Sequence, residues 1–305
     1  MDPFLDLIGL LRPRATLWGG LEGRGAWAVS FRKRDDVLFC WLSRGECQLV
    51  RPRVPPLRLR ANDFVLVRTD APFVLSSDLS IEPVDSEAAV ARTKKTTLRV
   101  GSGAKSPVTL RGGRFLFDTA NETLLTGLLP SLVHIPGNDT SSPRIRALMS
   151  MNEAESSHPG PGSEFVVAHL MELILVEILR GARLSAQPQH GGLIAGLKDP
   201  IVARALSAVH RDVRKDWTVA DLARLCGVSR SAFAVRFRTT VGMAPVEYLQ
   251  HWRMALAKDA LRLGTRGIGE IGLSIGFQSP SAFSTAFTRV VGISPKRFAA
   301  SVRQR

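Results

Sequence analysis

Three cysteines among 305 residues, Cys40, Cys47 and Cys226, are too few for a disulfide framework and point to a reducing cytoplasm. If Ser43-Arg44-Gly45-Glu46 forms a hairpin turn, Leu42 opposes Cys47 and Cys40 becomes a diagonal neighbour. Diagonal Cα atoms lie about 7–8 Å apart, too far for a bridge without movement, so redox sensing is the lesser reading. Histidine is missing from the whole first third. The first is His134, and His158, His169, His190, His210 and His251 follow without ligand spacing, which argues against a metal site. No apolar run reaches the roughly 20 residues a bilayer crossing needs; the longest, Phe165 to Leu179, is broken by His169, Glu172 and Glu177. The opening Met-Asp-Pro lacks a basic leader, so no signal peptide is expected. No Ser/His/Asp, Cys/His or glycine-rich phosphate pattern stands out either.

What is present is apolar content and positive charge. The length suits about two domains, and 45% hydrophobic residues are ample for buried cores. The net charge is +14. From Leu197 onward 18 Lys and Arg face 7 Asp and Glu, whereas the preceding residues carry 23 against 20. A basic surplus gathered in one third of a chain neutralises phosphates and makes binding salt-dependent.

That same third contains one pattern written twice. Val219, Leu222, Ala223 and Leu225 form an apolar face ending at Gly227, Ser229 opens a new helix, and Phe233 and Phe237 lie four apart. Ile268, Ile271, Gly276, Ser279, Phe283 and Phe287 repeat it. Ser231-Ala232-Phe233, Phe237, Gly242 and Pro245 recur fifty residues later, but the turn glycines are forty-nine apart, so the second turn holds one extra residue. Glycine suits a helix C-cap, serine an N-cap, and two Phe at i and i+4 bury one face. Arg230, Ser231, Ala234, Val235 and Arg238 are left pointing away from that core, the side a helix-turn-helix lays in the major groove. Between the copies, Pro245 to Leu263 reads as a helix of about 28 Å, long enough to hold two recognition helices roughly 34 Å, one DNA turn, apart.

Ile268…Ile271…Gly276-Phe277…Ser281-Ala282-Phe283…Phe287…Gly292…Pro295 resembles the signature of the AraC/XylS transcription regulators, and the likeness extends over Asp199 to Ala300. Gly272 stands where that family usually has Ala, and Phe298-Ala299 where it usually ends Tyr-Arg. Gly269 and Gly272 should each cost about 1 kcal/mol relative to Ala, making the second reading unit the less stable. The resemblance implies base contacts from Ser231, Ala234, Val235, Pro280, Ser281, Ser284 and Thr285, with Ser229 and Ser279 at the helix entries. Phosphate contacts fall to Arg230, Arg238, Arg289 and Lys296.

Residues 1–135 read as one helix, Leu5 to Leu11, followed by short strands broken by Gly and Pro, the pattern of a barrel or sandwich. Phe39-Cys-Trp41-Leu-Ser-Arg-Gly45-Glu-Cys47 followed by Leu57 to Val67 is similar to the cupin-type sensor of some AraC relatives. Trp27, Phe31, Phe39, Trp41, Phe64 and Phe73 either line an effector cavity or fill a small barrel's core.

Residues 136–184 read as two helices, the second apolar nearly all round, which implies a second partner: the barrel, or, as the resemblance implies, another copy of the chain. Residues 185–196 read as a linker and 197–305 as the DNA-binding domain. The fold class expected is α+β: a cupin-like β-barrel with a helical dimerisation hairpin, then an all-α double helix-turn-helix domain. The function expected is sequence-specific transcription regulation. Its partners would be double-stranded DNA, a second copy in a homodimer, a small-molecule effector and RNA polymerase, with no cofactor, metal or membrane. Two other classes compete: a metal-independent cupin-fold enzyme with an accessory nucleic-acid module, and a nucleoid-type architectural binder.

Overall fold

A computed structural model of the chain describes residues 2–11, 14–17, 20–34, 36–92, 97–103, 107–117, 129–181 and 192–303. The chain is α+β and divides into two compact units. One comprises Pro13–Leu116 and Ser131–Ser185, the other Met1–Arg12, Phe117–Pro130 and Ala186–Arg305. Linker residues 185–191 lie outside the described ones.

The first unit carries strands β1 (Arg14–Leu17), β2 (Gly20–Gly25), β3 (Ala28–Phe31), β4 (Val37–Arg44), β5 (Glu46–Arg51), β6 (Val54–Arg60), β7 (Phe64–Arg68), β8 (Phe73–Ser76), β9 (Val84–Asp85), β10 (Thr97–Ser102), β11 (Val108–Leu116) and β12 (Leu132–Ile135), with helices α2 (Ser86–Arg92), α3 (Ser142–Ser157) and α4 (Ser163–Gly181). One sheet runs β10-β2-β11-β4-β7-β12 with β1 on β11, the other β6-β5-β8-β3-β9. Pro55 and Pro56, expected to break a strand, lie inside β6. It is an edge strand, where a missing N–H costs no ladder bond. Gly23, read as a break, lies inside β2, whereas Gly25, φ 64°, does end the strand. A side chain at Gly23 would enter the Trp27 ring, and one at Gly20 the Leu110 carbonyl.

The hairpin expected at Ser43 to Glu46 does not form. β4 pairs with β7 and β11, and β5 with β6 and β8, so the left-handed Gly45, φ 83°, passes the chain from one sheet to the other. Cys40 and Cys47 then both enter the barrel core from different sheets. Both are free thiols pushed up to about 12 by burial, so they stay protonated and unreactive.

Alternation along the strands decides the fate of the candidate effector residues. Leu38, Cys40 and Leu42 of β4 and Val65 and Val67 of β7 join Trp27 and Phe73 in the barrel core. Phe39, Trp41 and Phe64 occupy the alternate positions, with Phe39 against Phe64 at 6.2 Å and Phe115 at 4.9 Å. Phe31 stacks on Phe73 at 4.6 Å, so the six residues fall on two faces and do not line one chamber, and this part of the expectation is corrected: a period of two puts neighbours in sequence on opposite faces. His134 is structural, its Nε2 3.0 Å from the buried Asp63, whose other oxygen accepts from Gly137 N.

Along α4, Leu170, Met171, Ile174, Leu175, Ile178 and Leu179 are buried, while Phe165 and Leu173 remain 68% and 51% exposed. One face is covered within the unit and another is open.

The second unit contains α1 (Pro3–Leu11), α5 (Leu193–Lys198), α6 (Pro200–Arg211), α7 (Val219–Cys226), α8 (Arg230–Val241), α9 (Pro245–Leu263), α10 (Ile268–Ser274), α11 (Pro280–Val291) and α12 (Pro295–Arg303). The helix expected to open the sensor domain packs here instead, with Leu7 and Leu11 buried and α5, α6 and α9 as neighbours. Periodicity reveals an apolar face, not which apolar surface it will meet. The contact is specific. His210 donates through Nδ1 to Asp6 at 2.8 Å and accepts at Nε2 from the Tyr248 hydroxyl at 2.7 Å, with Trp252 against its ring at 4.2 Å. Burial pulls His210 below its ordinary value, against the upward pull of Asp6; burial and then Asp6 raise Tyr248 well above its own. A neutral imidazole satisfies both neighbours.

Candidate nucleic-acid interface

Each helix-turn-helix is built by local rules that the sequence states. In the first, Thr218 and Asp221 form a capping box on α7, Gly227 closes it in the left-handed region, and the Ser229 hydroxyl accepts from Ala232 N to start α8. In the second, Gly267 precedes α10 without a side-chain cap, and the Ser279 hydroxyl accepts from Ala282 N to start α11. Ser229 and Ser279, expected at DNA, are each the N-cap of a recognition helix, with the hydroxyl also close to that of Ser231 or Ser281. Phe233 and Phe237 lie fully inside the first copy, Phe283 and Phe287 inside the second.

The exposure pattern repeats with the sequence. Arg230, Ser231, Val235 and Arg238 are exposed and Ala234 is half-buried; fifty residues later Pro280, Ser281, Thr285 and Thr288 are exposed and Ser284 is half-buried. Val235 is 66% exposed, an apolar side chain left in water by the free protein. Arg289 and Lys296 are exposed as well. Arg236 differs: it is bound to Asp199 at 2.7 Å, the residue that caps α6. It therefore ties the recognition helix to the first helix of its bundle.

Gly272, which departs from the family pattern, and Gly269 beside it have a reason in the packing. A Cβ on Gly272 would lie 2.8 Å from the Cβ and Cγ of Phe283, and one on Gly269 would lie 3.1 Å from Pro280. Missing side chains let α11 approach α10 closely, which offsets their cost in helix propensity. Phe298 packs edge-on against Phe287 at 5.6 Å, a place with no use for a hydroxyl.

One central residue escaped the sequence reading. Arg253, on α9, has a side chain only 8% exposed. Its Nε donates to Val213 O at 2.9 Å, and Nη1 donates to Asp216 Oδ1 at 3.1 Å. Its Nη2 donates to Arg214 O, Lys215 O and Asp216 Oδ1, each at 3.1 Å. Its only sequence signal is a cation within an apolar helix pattern.

A family model described as a Cupin matches residues 2–182, and one described as a Helix-turn-helix domain matches residues 222–301. An AraC-like transcription regulator of Streptomyces lividans is 39% identical over 296 residues, covering 97% of both chains. The chain belongs to the AraC-like transcription regulators. A second such regulator, from Streptomyces antibioticus, is 38% identical over 97% of both chains. The HTH-type transcriptional regulator AlkR of Acinetobacter baylyi is 26% identical over 91% of this chain and 92% of its own. The protein is accordingly a DNA-binding transcription regulator and not an enzyme, with a cupin-like domain before its helix-turn-helix domain. No helix among the described residues is long and apolar enough to cross a membrane.

Proposed function

We propose that this regulator reads a specific operator with both recognition helices, as a cytoplasmic homodimer whose barrel receives a small-molecule effector and which contacts RNA polymerase. The observation that carries the DNA reading is the repeated exposure pattern on α8 and α11. Ser231, Ala234 and Val235 on one helix and Pro280, Ser281, Ser284 and Thr285 on the other are short side chains. They suit thymine methyls and single hydroxyl bonds rather than bidentate guanine pairs. Arg230, Arg238, Arg289 and Lys296 supply the phosphate contacts. The effector reading rests on Trp27 and Phe73 in the barrel core. The buried Trp27 indole N–H has no acceptor among the described residues, and a ligand oxygen would provide one.

The dimer reading rests on the open face of α4. Sedimentation should give about twice the 33.2 kDa of one chain, and Phe165→Glu with Leu173→Glu should return the monomer. Ile174 is fully buried and unsuited to that test.

The experiment for the DNA reading is a salt series on a selected duplex. Arg238→Ala should weaken specific and nonspecific duplexes alike and lower the salt slope by about one. A changed base preference at unchanged slope would reassign Arg238 to a base. A specific-to-nonspecific ratio near unity at fixed salt would favour the architectural binder.

A further inference from the structure

Two recognition helices read one DNA only if the distance and rotation between them match the duplex. Each is held by its own first helix through buried phenylalanines, and α9 joins the two halves. A single helix gripping a bundle at each end leaves the angle between them soft unless a second contact closes the joint. Such a contact exists, and Arg253 is its centre.

The acceptors that surround the Arg253 guanidinium, Val213, Arg214, Lys215 and Asp216, form the connector from α6 to α7, which belongs to the first half. The turn of the second half lies against the same guanidinium. Phe277 has its ring centroid 5.8 Å from Arg253 Cζ, and a Cβ on Gly276 would lie 2.6 Å from Arg253 Nη2 and would also strike the Arg214 carbonyl. Gly276 is left-handed, φ 96°, so both its conformation and its surroundings require glycine. The matching glycine of the first half, Gly227, has nothing within 4 Å of such a Cβ. The two turns are alike in sequence, but only the second is wedged into a joint. Arginine suits the place because its planar fork meets several carbonyls and a carboxylate at once, whereas a lysine offers one compact charge.

We propose that Arg253 is a positioning residue that sets the spacing and rotation between the two recognition helices, and through them the separation of the two DNA boxes that one protomer reads. The proposal rests on the reading that both helices enter DNA. Removing the guanidinium leaves both recognition faces intact and loosens the frame that holds them apart.

The test uses the full-length protein and duplexes recovered by selection with the wild type. They are rebuilt with both boxes at the selected spacing, with one base pair inserted or removed, or with one box scrambled. One base pair moves the second box by about 3.4 Å and turns it by about 34°. The wild type should lose about tenfold on a one-base-pair change, comparable to a lost base contact. Arg253→Met, which keeps an unbranched apolar stem but removes the guanidinium donors, should show that penalty reduced severalfold, with binding to the one-box duplex unchanged. Arg253→Lys should fall between. Gly276→Ala, which presses on the joint from the other side, should move the preferred spacing. If Arg253→Met does not fold, Asp216→Asn replaces it, since Asp216 is 72% exposed and the substitution removes the ion pair while Arg253 keeps its bonds to the connector carbonyls. An Arg253 or Asp216 variant that weakens every duplex in equal proportion, with the spacing penalty unchanged, would overturn the proposal. A wild type that binds one-box and two-box duplexes equally would instead overturn the two-helix reading, and this proposal with it.

Discussion

The first and second helix-turn-helix copies share a sequence pattern and an exposure pattern, yet they are held by different means. The first is built from polar ends and a buried polar centre. Thr218 and Asp221 cap α7, Asp199 binds Arg236, and the Phe233–Phe237–Tyr248 aromatic series continues to His210 and Asp6 on α1. The second has no side-chain cap on α10 and relies on a series of rings, Phe277, Phe283, Phe287 and Phe298, brought close by two glycines. A reading surface therefore does not dictate its support. The outward faces, which we propose meet DNA, are alike, while the inward faces need only close a small core.

The largest perturbation tests what the copies share. Phe237→Ala and Phe287→Ala each remove a fully buried ring, which should cost about 3–5 kcal/mol. Both should lower the thermal midpoint and abolish two-box binding; native stability with binding lost would show that the ring is not core.

The next separates the copies. Gly272→Ala adds a methyl 2.8 Å from Phe283. Overpacking of about 1–3 kcal/mol opposes a propensity gain of about 1 kcal/mol, so denaturant unfolding should show net destabilisation of up to about 2 kcal/mol. Ala223→Gly, at the matching position of the first copy, should lose about 1 kcal/mol through propensity and lost methyl packing. A stabilised Gly272→Ala would mean that α11 has room to retreat.

Acid should distinguish them further. His210 is neutral in the folded state because burial outweighs Asp6, and the unfolded chain takes up its proton at about pH 6.5. The stability linked to His210 is therefore complete above that pH. It is lost as pH falls through it towards the lower folded value, at no more than about 1.4 kcal/mol per pH unit. Chemical denaturation between pH 7.5 and 5 should show this slope in the wild type and lose it in His210→Gln. The second copy has no histidine among its residues from Ile268 to Ala300 and should not respond. Smallest of all, Thr218→Ala should cost about 1 kcal/mol by removing the cap of α7. Gly267→Ser, which offers α10 the cap it lacks, should return part of that amount in the second copy.

The helix-turn-helix half was legible because its rules are local. Serine, proline and glycine mark helix ends through one or two bonds each, and a Phe pair four residues apart buries one face wherever it stands. The α9 boundaries, Pro245 and Leu263, were readable for the same reason. The barrel was legible in β3 to β8, β10 and the end of β11, but β1, β2, β9, β12 and the pairing of the strands were not. The residues around Gly45 suit a hairpin turn and a crossing between sheets equally, and the alternation that puts Phe39, Trp41 and Phe64 on one face does not say which face meets the barrel core. Gly23 reads as a break, since nothing in the pattern says that the Trp27 ring, four residues on, lies over it.

The amino-acid sequence by itself determined the repeat, its exposed faces, the basic surplus around them and the family, because each depends on residues a few positions apart or on composition. The tertiary structure alone decided that α1 packs among the DNA-binding helices, that His210 is held neutral between Asp6 and Tyr248, and that Arg253 gathers Val213 to Asp216 beneath Gly276. Those contacts join segments up to 204 positions apart. A charged or polar residue in an apolar helix carries no mark of its partner until the chain has brought that partner to it.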